Sequence, residues 1–385
     1  MERENKTGEG TWIAPQDVFC LSHNERALLD TVRRHGKITR AALTAESDLT
    51  AQSIARLVEA LRAQGFLEQG AKLISGRGKP SAYLSLTEGR YFSLGLSIMT
   101  DAVSGVLMRL SGEVVAEAAV RFDRVDVASV LAAADRLVDE LIAVSGVERE
   151  AIFGIGAAIT GYFIGQAKRV NPPDPLGAFA DLDLDSLLCE RYGRPVWLDN
   201  DGNAAAIGEA LCGRGRDYPS FAYVYLGMGI GGGVVIDGRL HPGAFGNAGE
   251  VAGTMPGHLF AERPTAESLR ASIDRHGVAL ADISEMLERF DPAWPGVEEW
   301  IAQTMPHFEA ICSAIAAILD PHAIVLGGRL PRPVAERLCE DIGFYQINRH
   351  GLTKPMPALC ASNVIEGDAT ALGAASIPLK ACIFL

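Results

Sequence analysis

One stretch of the sequence indicates the fold class, because it joins a short apolar strand directly to a helix. It reads Leu198-Asp-Asn-Asp-Gly-Asn-Ala-Ala-Ala-Ile-Gly-Glu209. Residues 196–198 form the predicted strand, and the polar triplet Asp199-Asn200-Asp201 follows at its end. The alanine-rich run behind the triplet predicts a helix from about Asn203 to Leu211. The stretch therefore indicates an α/β domain that presents three polar side chains where a strand and a helix meet.

Strands, turns and helices continue this pattern in both directions. Upstream, three antiparallel strands, a helix and a strand are predicted at Phe92–Met99, Val103–Leu110, Val114–Val120, Val127–Val144 and Ile152–Ile159. Downstream, a hairpin with a glycine turn, a helix and a strand are predicted at Ala222–Tyr225, Gly232–Ile236, Trp300–Leu319 and Ala323–Leu326. Each half opens with strand hairpins, which predicts two α/β lobes with a ligand cleft between them.

Residues 21–88 carry a different pattern, three short helices followed by a hairpin. Asn24, Thr39 and Thr50 are each expected to cap a helix, and the third helix runs to about Gln64. A short helix, a tight turn and a longer helix form the helix-turn-helix arrangement, whose second helix enters the major groove of DNA. The segment is therefore predicted to be a winged helix-turn-helix domain.

The third helix and the tip of the hairpin supply the predicted DNA contacts. These contacts are Thr39, Gln52, Ser53, Arg56, Arg77 and Lys79. The three on the outward face of the third helix can hydrogen-bond to base edges, while Thr39 and the basic hairpin tip are expected to contact phosphates. A small helical module that binds protein would show the same helices, and it is the alternative.

Charge is distributed unevenly along the chain. The net charge of all 385 residues is −13, whereas residues 21–90 contain 11 Lys and Arg and 7 Asp and Glu. A basic segment joined to an acidic body agrees with DNA contact that is confined to one domain.

Cysteine usage and hydropathy limit the compartment. The seven cysteines include no Cys-x-x-Cys pair, so neither a disulfide framework nor a sulfur-rich metal site is expected. The longest uncharged runs are interrupted by glycines and do not resemble a membrane span of about 20 apolar residues. We therefore expect a cytoplasmic protein without a membrane partner.

Five segments, in this order, give the chain its resemblance to a known family. They are Leu198–Glu209, Leu226–Gly233, Gly243–Glu250, Ile324–Gly328 and Gly367–Ala375. With them the chain resembles the ROK family of repressors, open reading frames and kinases over nearly all of residues 21–376. The resemblance implies a two-lobed actin-like, ribonuclease-H-like α/β sugar-kinase fold. The winged helix-turn-helix is similar to that of the family's repressor branch.

The resemblance also implies a sugar site. Asp201 matches the family's catalytic aspartate, and Asn200 matches a sugar contact beside it. Glu250 matches a carboxylate that accepts hydrogen bonds from adjacent sugar hydroxyls, and Glu267 aligns with a second glutamate that contacts the sugar. Carboxylates and amides suit this task because charge-assisted hydrogen bonds to hydroxyls are relatively strong.

Nucleotide binding is not expected. Active family members open the first lobe with Asp-x-Gly-Gly-Thr, whose acid supports the metal ion and whose small residues admit phosphate to the backbone. The corresponding stretch is Ser97-Ile98-Met99-Thr100, with Ile98 and Met99 at glycine positions, and Met228 replaces a hydroxyl residue in the second phosphate turn. We expect these side chains to crowd the triphosphate, and we expect no cofactor and no catalysis. An ATP-dependent sugar kinase with a fused DNA-binding domain is the alternative.

The family's structural zinc site lacks its ligands here. Gly253 stands where a histidine is customary, and residues 257–267 contain no cysteine. His258 has no thiolate partners to complete four ligands, so we expect no bound metal. The missing histidine is itself a sugar contact in the family, so the ligand need not be glucose-like.

These expectations combine into one functional hypothesis and one domain division. The chain is expected to be a sugar-responsive regulator, a repressor of carbohydrate uptake or catabolism genes, that binds a double-stranded DNA operator as a homodimer or higher oligomer. A small sugar or sugar phosphate is the expected effector. The expected domains are 21–88, a first lobe over 91–198 completed by the C-terminal helix 367–385, and a second lobe over 199–366. A non-enzymatic scaffold is the third hypothesis.

Overall fold

The computed structural model describes residues 18–73, 81–122, 124–164, 169–346, 350–364 and 369–385. The predicted DNA contacts Arg77 and Lys79, and the start of the last family segment at Gly367, lie outside the described residues.

Three helices and a small sheet form the N-terminal domain. In chain order they are α1 (His23–His35), β1 (Ile38–Thr39), α2 (Arg40–Ala45), α3 (Ala51–Ala63), β2 (Leu67–Leu73) and β3 (Ser81–Leu86). The sheet is antiparallel, in the order β1-β3-β2. This is the winged helix-turn-helix arrangement, and the predicted fold of the segment is confirmed.

Caps fix where these helices begin. Thr39 and Thr50 cap α2 and α3 as predicted, because their hydroxyls accept backbone hydrogen bonds in the first turn. The predicted cap Asn24 of α1 is wrong. Ser22 caps this helix instead, because Ser22 and Glu25 form a reciprocal capping box that Asn24 cannot form. In the wing, a register shift between Gln69 and Lys72 interrupts the pairing of β2 with β3.

The first lobe is a five-stranded mixed sheet with helices on it. Its elements are β4 (Phe92–Ile98), β5 (Ala102–Arg109), β6 (Val114–Arg121), α4 (Val127–Ser145), β7 (Ile152–Ile159), β8 (Tyr162–Ile164), β9 (Arg169–Asn171), α5 (Leu184–Tyr192) and β10 (Val196–Asn200). The sheet order is β10-β7-β4-β5-β6, and β8 pairs with β9 in a separate hairpin. The strands β10, β7 and β4 are parallel, so the ends of β7 and β10 meet at one edge.

The second lobe repeats this plan with a longer helical cap. Its elements are α6 (Asp201–Cys212), β11 (Phe221–Leu226), β12 (Ile230–Ile236), β13 (Arg239–Leu240), α7 (Ala266–Arg275), α8 (Ile283–Arg289), α9 (Val297–Ile318), β14 (Ala323–Gly328), α10 (Arg332–Asp341) and β15 (Ala358–Ala361). The sheet order is β13-β12-β11-β14-β15. The predicted α/β class, a winged helix-turn-helix ahead of a two-lobed body, is confirmed.

A last helix, α11 (Ala369–Cys382), packs on the first sheet and against α6. Small residues make this packing close. A Cβ atom at Gly373 would collide with the backbone of Ala204 in α6, and one at Gly156 of β7 would collide with the backbone of Ala374 in α11. The helices α6 and α11 therefore form a tightly coupled pair between the two sheets.

Candidate functional site

Three glycines bring the first turn of α6 and the loop before Glu250 close to β12. A Cβ atom at Gly202, in the first turn of α6, would lie 2.6 Å from the carbonyl oxygen of Gly232 in β12. A Cβ atom at Gly249 would lie 2.5 Å from the same oxygen. Only glycine permits backbones to approach so closely. Asp201 and Glu250 each adjoin one of these glycines, so the packing directs both carboxylates to one place.

That place is a cavity of about 460 Å³, which we call the interlobe cleft. The first lobe lines it with Thr160–Tyr162 and Asn171–Pro175, and the second lobe lines it with Asp201, Glu250 and the turn Met228–Gly231. Its volume suits a small-molecule ligand. Two of the four predicted sugar contacts, Asp201 and Glu250, are among its lining residues.

Both cleft carboxylates have raised pKa values. Burial raises the pKa of Asp201 to about 6, although hydrogen bonds from Thr160 and the Gly202 backbone oppose the shift. Burial also raises the pKa of Glu250 to about 7, and the nearby charge of Asp201 adds to the effect. The cleft thus contains two acceptor groups whose charge the protein compensates poorly, and hydroxyl donors of a ligand would compensate it.

Asn200 lies behind the cleft. Its side chain is buried, with 2% exposure, and its amide oxygen caps α6 by accepting a 2.7 Å hydrogen bond from the Asn203 backbone. Its amide nitrogen donates to Glu250 Oε1 at 3.4 Å. Asn200 is absent from the described lining of the cleft, so in this structure it orients Glu250 instead of facing the cleft.

Glu267 is not brought together with these residues. It lies in the first turn of α7, and its carboxylate accepts hydrogen bonds of 2.6–3.0 Å from the guanidinium of Arg270. It is absent from the described lining of the cleft. A partner three residues away on the same helix explains this orientation.

Several cleft residues were missed by the sequence analysis. Thr160 and Tyr162 follow β7, and Asn171, which ends β9, donates to the Tyr162 hydroxyl at 2.6 Å. Asn247 of the second lobe exchanges two 2.8 Å hydrogen bonds with the backbone of Phe163 and so links the lobes at the cleft. The polar turn after β7 was the sequence feature that could have indicated these residues. Because β7 and β10 are parallel neighbours, this turn lies beside the polar end of β10.

The turn between β4 and β5 is closed against the second lobe. Ile98 and Met99 are buried, because β4 buries both faces of its end. The expected crowding of a triphosphate by these side chains stays a prediction. Asp101, two residues after Met99, accepts two 2.8 Å hydrogen bonds from the guanidinium of Arg329, which follows β14. Met228, by contrast, does line the cleft.

Ser284 completes this contact, which we call the Asp101–Arg329 bridge. Its hydroxyl donates to Asp101 at 2.8 Å and accepts from Arg329 at 2.7 Å. Arg329 is 4% exposed. Burial alone would raise the pKa of Asp101, but the hydrogen bonds and charge of Arg329 outweigh it and lower that pKa.

The residues present do not fit the metals that the fold family implies. Near Glu250, Gly253 and the turn Gly257–Glu262 offer no thiolate. The end of β4 and the turn that joins it to β5, which together we call the first turn, offer Ser97 and an already paired Asp101. Within the described ranges, no group of three or more His, Cys, Asp or Glu residues could hold a metal ion.

The predicted DNA contacts that the structure describes lie on or before α3. Gln52 and Arg56 are exposed on one side of this helix. The Ser53 backbone and side chain bond to the capping hydroxyl of Thr50, and the Thr39 hydroxyl accepts from the Ala42 backbone at 3.3 Å. Two of these side chains are thus exposed, and the other two hydroxyls take part in helix capping.

None of the described helices is both long enough and apolar enough to cross a membrane.

Sequence comparison gives the chain a family and named relatives. The ROK family model matches residues 94–380. An uncharacterized protein of Sinorhizobium fredii, y4fQ, is 32% identical over 94% of this chain and 92% of its own length. The xylose repressor of Bacillus subtilis is 27% identical over 62% of each chain.

Structure comparison shows the same fold in a regulator and in a kinase. A ROK family transcriptional regulator, a homolog of the E. coli MLC protein, superposes with a TM-score of 0.67 at 19% identity, over 93% of this chain and 95% of that one. A glucokinase from Streptomyces griseus, in complex with glucose and AMPPNP, gives a TM-score of 0.59 at 20% identity, over 74% of this chain and 98% of that one.

Proposed function

This chain belongs to the ROK family, and from that premise we propose that it is a cytoplasmic, sugar-responsive repressor of carbohydrate uptake or catabolism genes. Its winged helix-turn-helix binds operator DNA, and its body binds a sugar without phosphorylating it. The xylose repressor relative supports the regulatory reading, and the fold shared with a transcriptional regulator extends over the N-terminal domain.

The proposal rests on a difference between two sites of the body, the interlobe cleft and the turn between β4 and β5. Among the described residues, neither Asp201 nor Glu250 of the interlobe cleft forms an ion pair, and both have raised pKa values. The guanidinium of Arg263, which also lines the cleft, donates to the carbonyl of Phe260. The first turn has lost its carboxylate at Ser97 and is closed by the Asp101–Arg329 bridge. Hydroxyl groups of a sugar would satisfy the cleft, whereas phosphoryl transfer needs a metal-supporting and phosphate-binding turn.

The packing supports a route from the cleft to the DNA-binding domain. Asp201 begins α6, and α6 packs closely on α11. The Arg26 side chain of α1 donates to the carbonyls of Lys380 and Phe384 at the end of α11. Sugar binding that shifts α6 would therefore move α1, and a homodimer would change the spacing of its two winged helices on the operator.

We propose the domain division that the sequence analysis expects, with α11 completing the first lobe. The N-terminal unit 21–88 makes the DNA contacts, Gln52 and Arg56 to bases and Arg77 and Lys79 to phosphates. Removing Arg56 should reduce the preference for the operator, while removing Arg77 should weaken binding to all sequences.

Two assays on the same protein test the proposal. Thermal shift with a panel of neutral sugars and sugar phosphates, xylose included, should identify a stabilising ligand. A gel shift on the gene's own upstream region should then show salt-sensitive DNA binding that this ligand changes.

Asp201→Asn should remove the sugar response and keep DNA binding, while Glu267→Gln, which alters a carboxylate outside the cleft, should keep both. Sugar-dependent ADP formation that Asp201→Asn abolishes would instead establish the kinase alternative. DNA binding that is absent or insensitive to salt would favour the scaffold.

A further inference from the structure

A second cavity lies where the DNA-binding domain meets the body. It has a volume of about 410 Å³ and lies among α1, α6, the β12–β13 hairpin and α11; we call it the junction pocket. Its polar lining includes His23, Arg26, Arg239 and Lys380, and its apolar lining includes Ile207 and Leu240. The pocket lies apart from the interlobe cleft and shares none of its described lining residues.

The charge of the junction pocket is opposite to that of the cleft. Arg26, Arg239 and Lys380 come from three different parts of the chain, and no Asp or Glu is among the described residues that line the pocket. Leu385, the last residue of the sequence, also lines it. The neighbouring carboxylate Asp30 is paired with Arg33 and Arg34 on α1. In a chain with a net charge of −13, three converging cations indicate an anion site.

Among the described residues, the Lys380 ammonium hydrogen-bonds to main-chain oxygens, and the charge of Asp30 also acts on it. It donates to the carbonyl oxygen of Gly238 at 3.4 Å and to the Leu385 main-chain oxygen at 3.1 Å. Burial lowers the pKa of Lys380, since these neutral or terminal oxygens compensate the buried charge incompletely. An anion in the pocket would supply that compensation.

The two arginines differ in how they are held. Arg26 is fixed by hydrogen bonds from its Nε and Nη2 atoms to the carbonyls of Phe384 and Lys380. Arg239 is exposed and forms no ion pair within the part of the chain that the structure describes. One guanidinium is thus preorganised, and the other is available to close over a ligand.

We propose that the junction pocket binds a small phosphate monoester, of the size of a sugar phosphate or smaller, between Arg26, Arg239 and Lys380. A phosphate group presents three oxygens to donors from three directions, which a single carboxylate cannot do. The remaining volume and the Ile207–Leu240 side accommodate the carbon skeleton. The bound ester ties α1 to the body and so acts on the DNA-binding domain separately from the cleft; this consequence, but not the binding, rests on the proposed function.

The binding test uses the full chain and calorimetric titration with glucose 6-phosphate, glucose, inorganic phosphate and sulfate. The ester should bind, and Arg239→Gln should weaken it about 10- to 100-fold, the range for loss of one charged hydrogen bond. Arg124→Gln, a matched change of an arginine with an 83% exposed side chain outside the pocket, should leave the affinity unchanged. Asp201→Asn should also leave it unchanged, because that residue lines only the cleft.

Each other outcome overturns the proposal. No binding of any phosphate compound, or ester binding that Arg239→Gln does not weaken, removes the site. Equal binding of sulfate, phosphate and ester indicates an adventitious ion only. Ester binding lost in Asp201→Asn assigns the ester to the interlobe cleft. A lower salt dependence of DNA binding in Arg239→Gln without any ester assigns Arg239 to the DNA interface.

Discussion

The two lobes face each other at two places, and the pKa values of the carboxylates at these places are shifted in opposite directions. In the interlobe cleft, Asp201 and Glu250 line a cavity, and burial raises their pKa values to about 6 and about 7. At the first turn, Asp101 is paired with Arg329 and Ser284, and its pKa is lowered. A carboxylate left without a cation in a cavity is available to a ligand, whereas one that is already paired holds the structure together.

This difference separates two properties that a sugar kinase must combine. The cleft retains the groups that recognise hydroxyls, and the first turn lacks the groups that hold a metal–phosphate complex. In the proposed regulator, the Asp101–Arg329 bridge joins the lobes at the turn between β4 and β5. Substitutions at either site test this difference.

The largest expected effect comes from breaking the bridge. Arg329→Met leaves Asp101 as a buried carboxylate without its cation, so the free energy of unfolding should fall by about 3–5 kcal/mol. Urea denaturation measures this loss. Replacing both partners, Asp101→Leu with Arg329→Met, should recover most of it because no unpaired charge remains.

A surface ion pair provides the matched control for the bridge. Arg332 and Glu336 form a pair on α10 with side chains 45% and 52% exposed. Arg332→Met should cost less than about 1 kcal/mol, as is usual for exposed pairs. Equal costs at Arg329 and Arg332 would show that the bridge does not join the lobes.

The second effect concerns sugar affinity. Asp201→Asn and Glu250→Gln should each weaken binding of the sugar about 10- to 100-fold, because each removes a charged acceptor for hydroxyl groups. Calorimetric titration measures the change. Glu267→Gln should change the affinity by less than about twofold, since Glu267 is bonded to Arg270 outside the cleft. A loss at Glu267 as large as at Glu250 would restore the sequence-based assignment of this residue.

A smaller effect is expected at Asn200. Asn200→Ala removes the cap of α6, which should lower the free energy of unfolding by about 1 kcal/mol. It also removes the hydrogen bond that orients Glu250, so sugar affinity should fall by less than in Glu250→Gln. An affinity loss larger than that of Glu250→Gln would show direct contact between Asn200 and the sugar.

The pH dependence of stability should differ in sign between the two sites. The cleft carboxylates bind protons more tightly in the folded state, so stability without sugar should rise as the pH falls through about 7 and then about 6. Asp101 stabilises the fold only above the pKa of the unfolded chain, and its contribution is lost in more acidic solution. Thermal melts of Asp201→Asn combined with Glu250→Gln should show a flatter profile between about pH 5.5 and 8. An unchanged profile would contradict the raised pKa values.

The sequence predicted the features that depend on local patterns. The strand β10, the helix α6 and the hairpin β11–β12 follow from periodicity and turn residues. The close backbone approach at the glycines 202, 232 and 249, beside Asp201 and Glu250, was found only in the structure. The Asp101–Arg329 bridge was not predictable in this way, because its partners are 228 residues apart and neither lies in a distinctive motif.

At Glu267 the sequence predicted a sugar contact that is absent from the described lining of the cleft. Its position matched a family pattern, but a partner one helical turn away decides where its carboxylate points. Similarly, Asn24 and Ser22 are both good caps by residue type, and the glutamate three residues after Ser22 decides between them. The predicted site and the observed site therefore differ mainly in the hydrogen-bond partners of individual side chains, and less in the secondary structure that carries them.

In the proposed function, the body binds a sugar and does not bind nucleotide. Calorimetric titration of the full chain, first with the stabilising sugar and then with ATP and Mg²⁺ in its presence, tests both properties in one experiment. We expect sugar binding that depends on Asp201, no heat from ATP and no ADP formed. Tight ATP binding, with ADP released in the presence of sugar, would show that the body is a kinase.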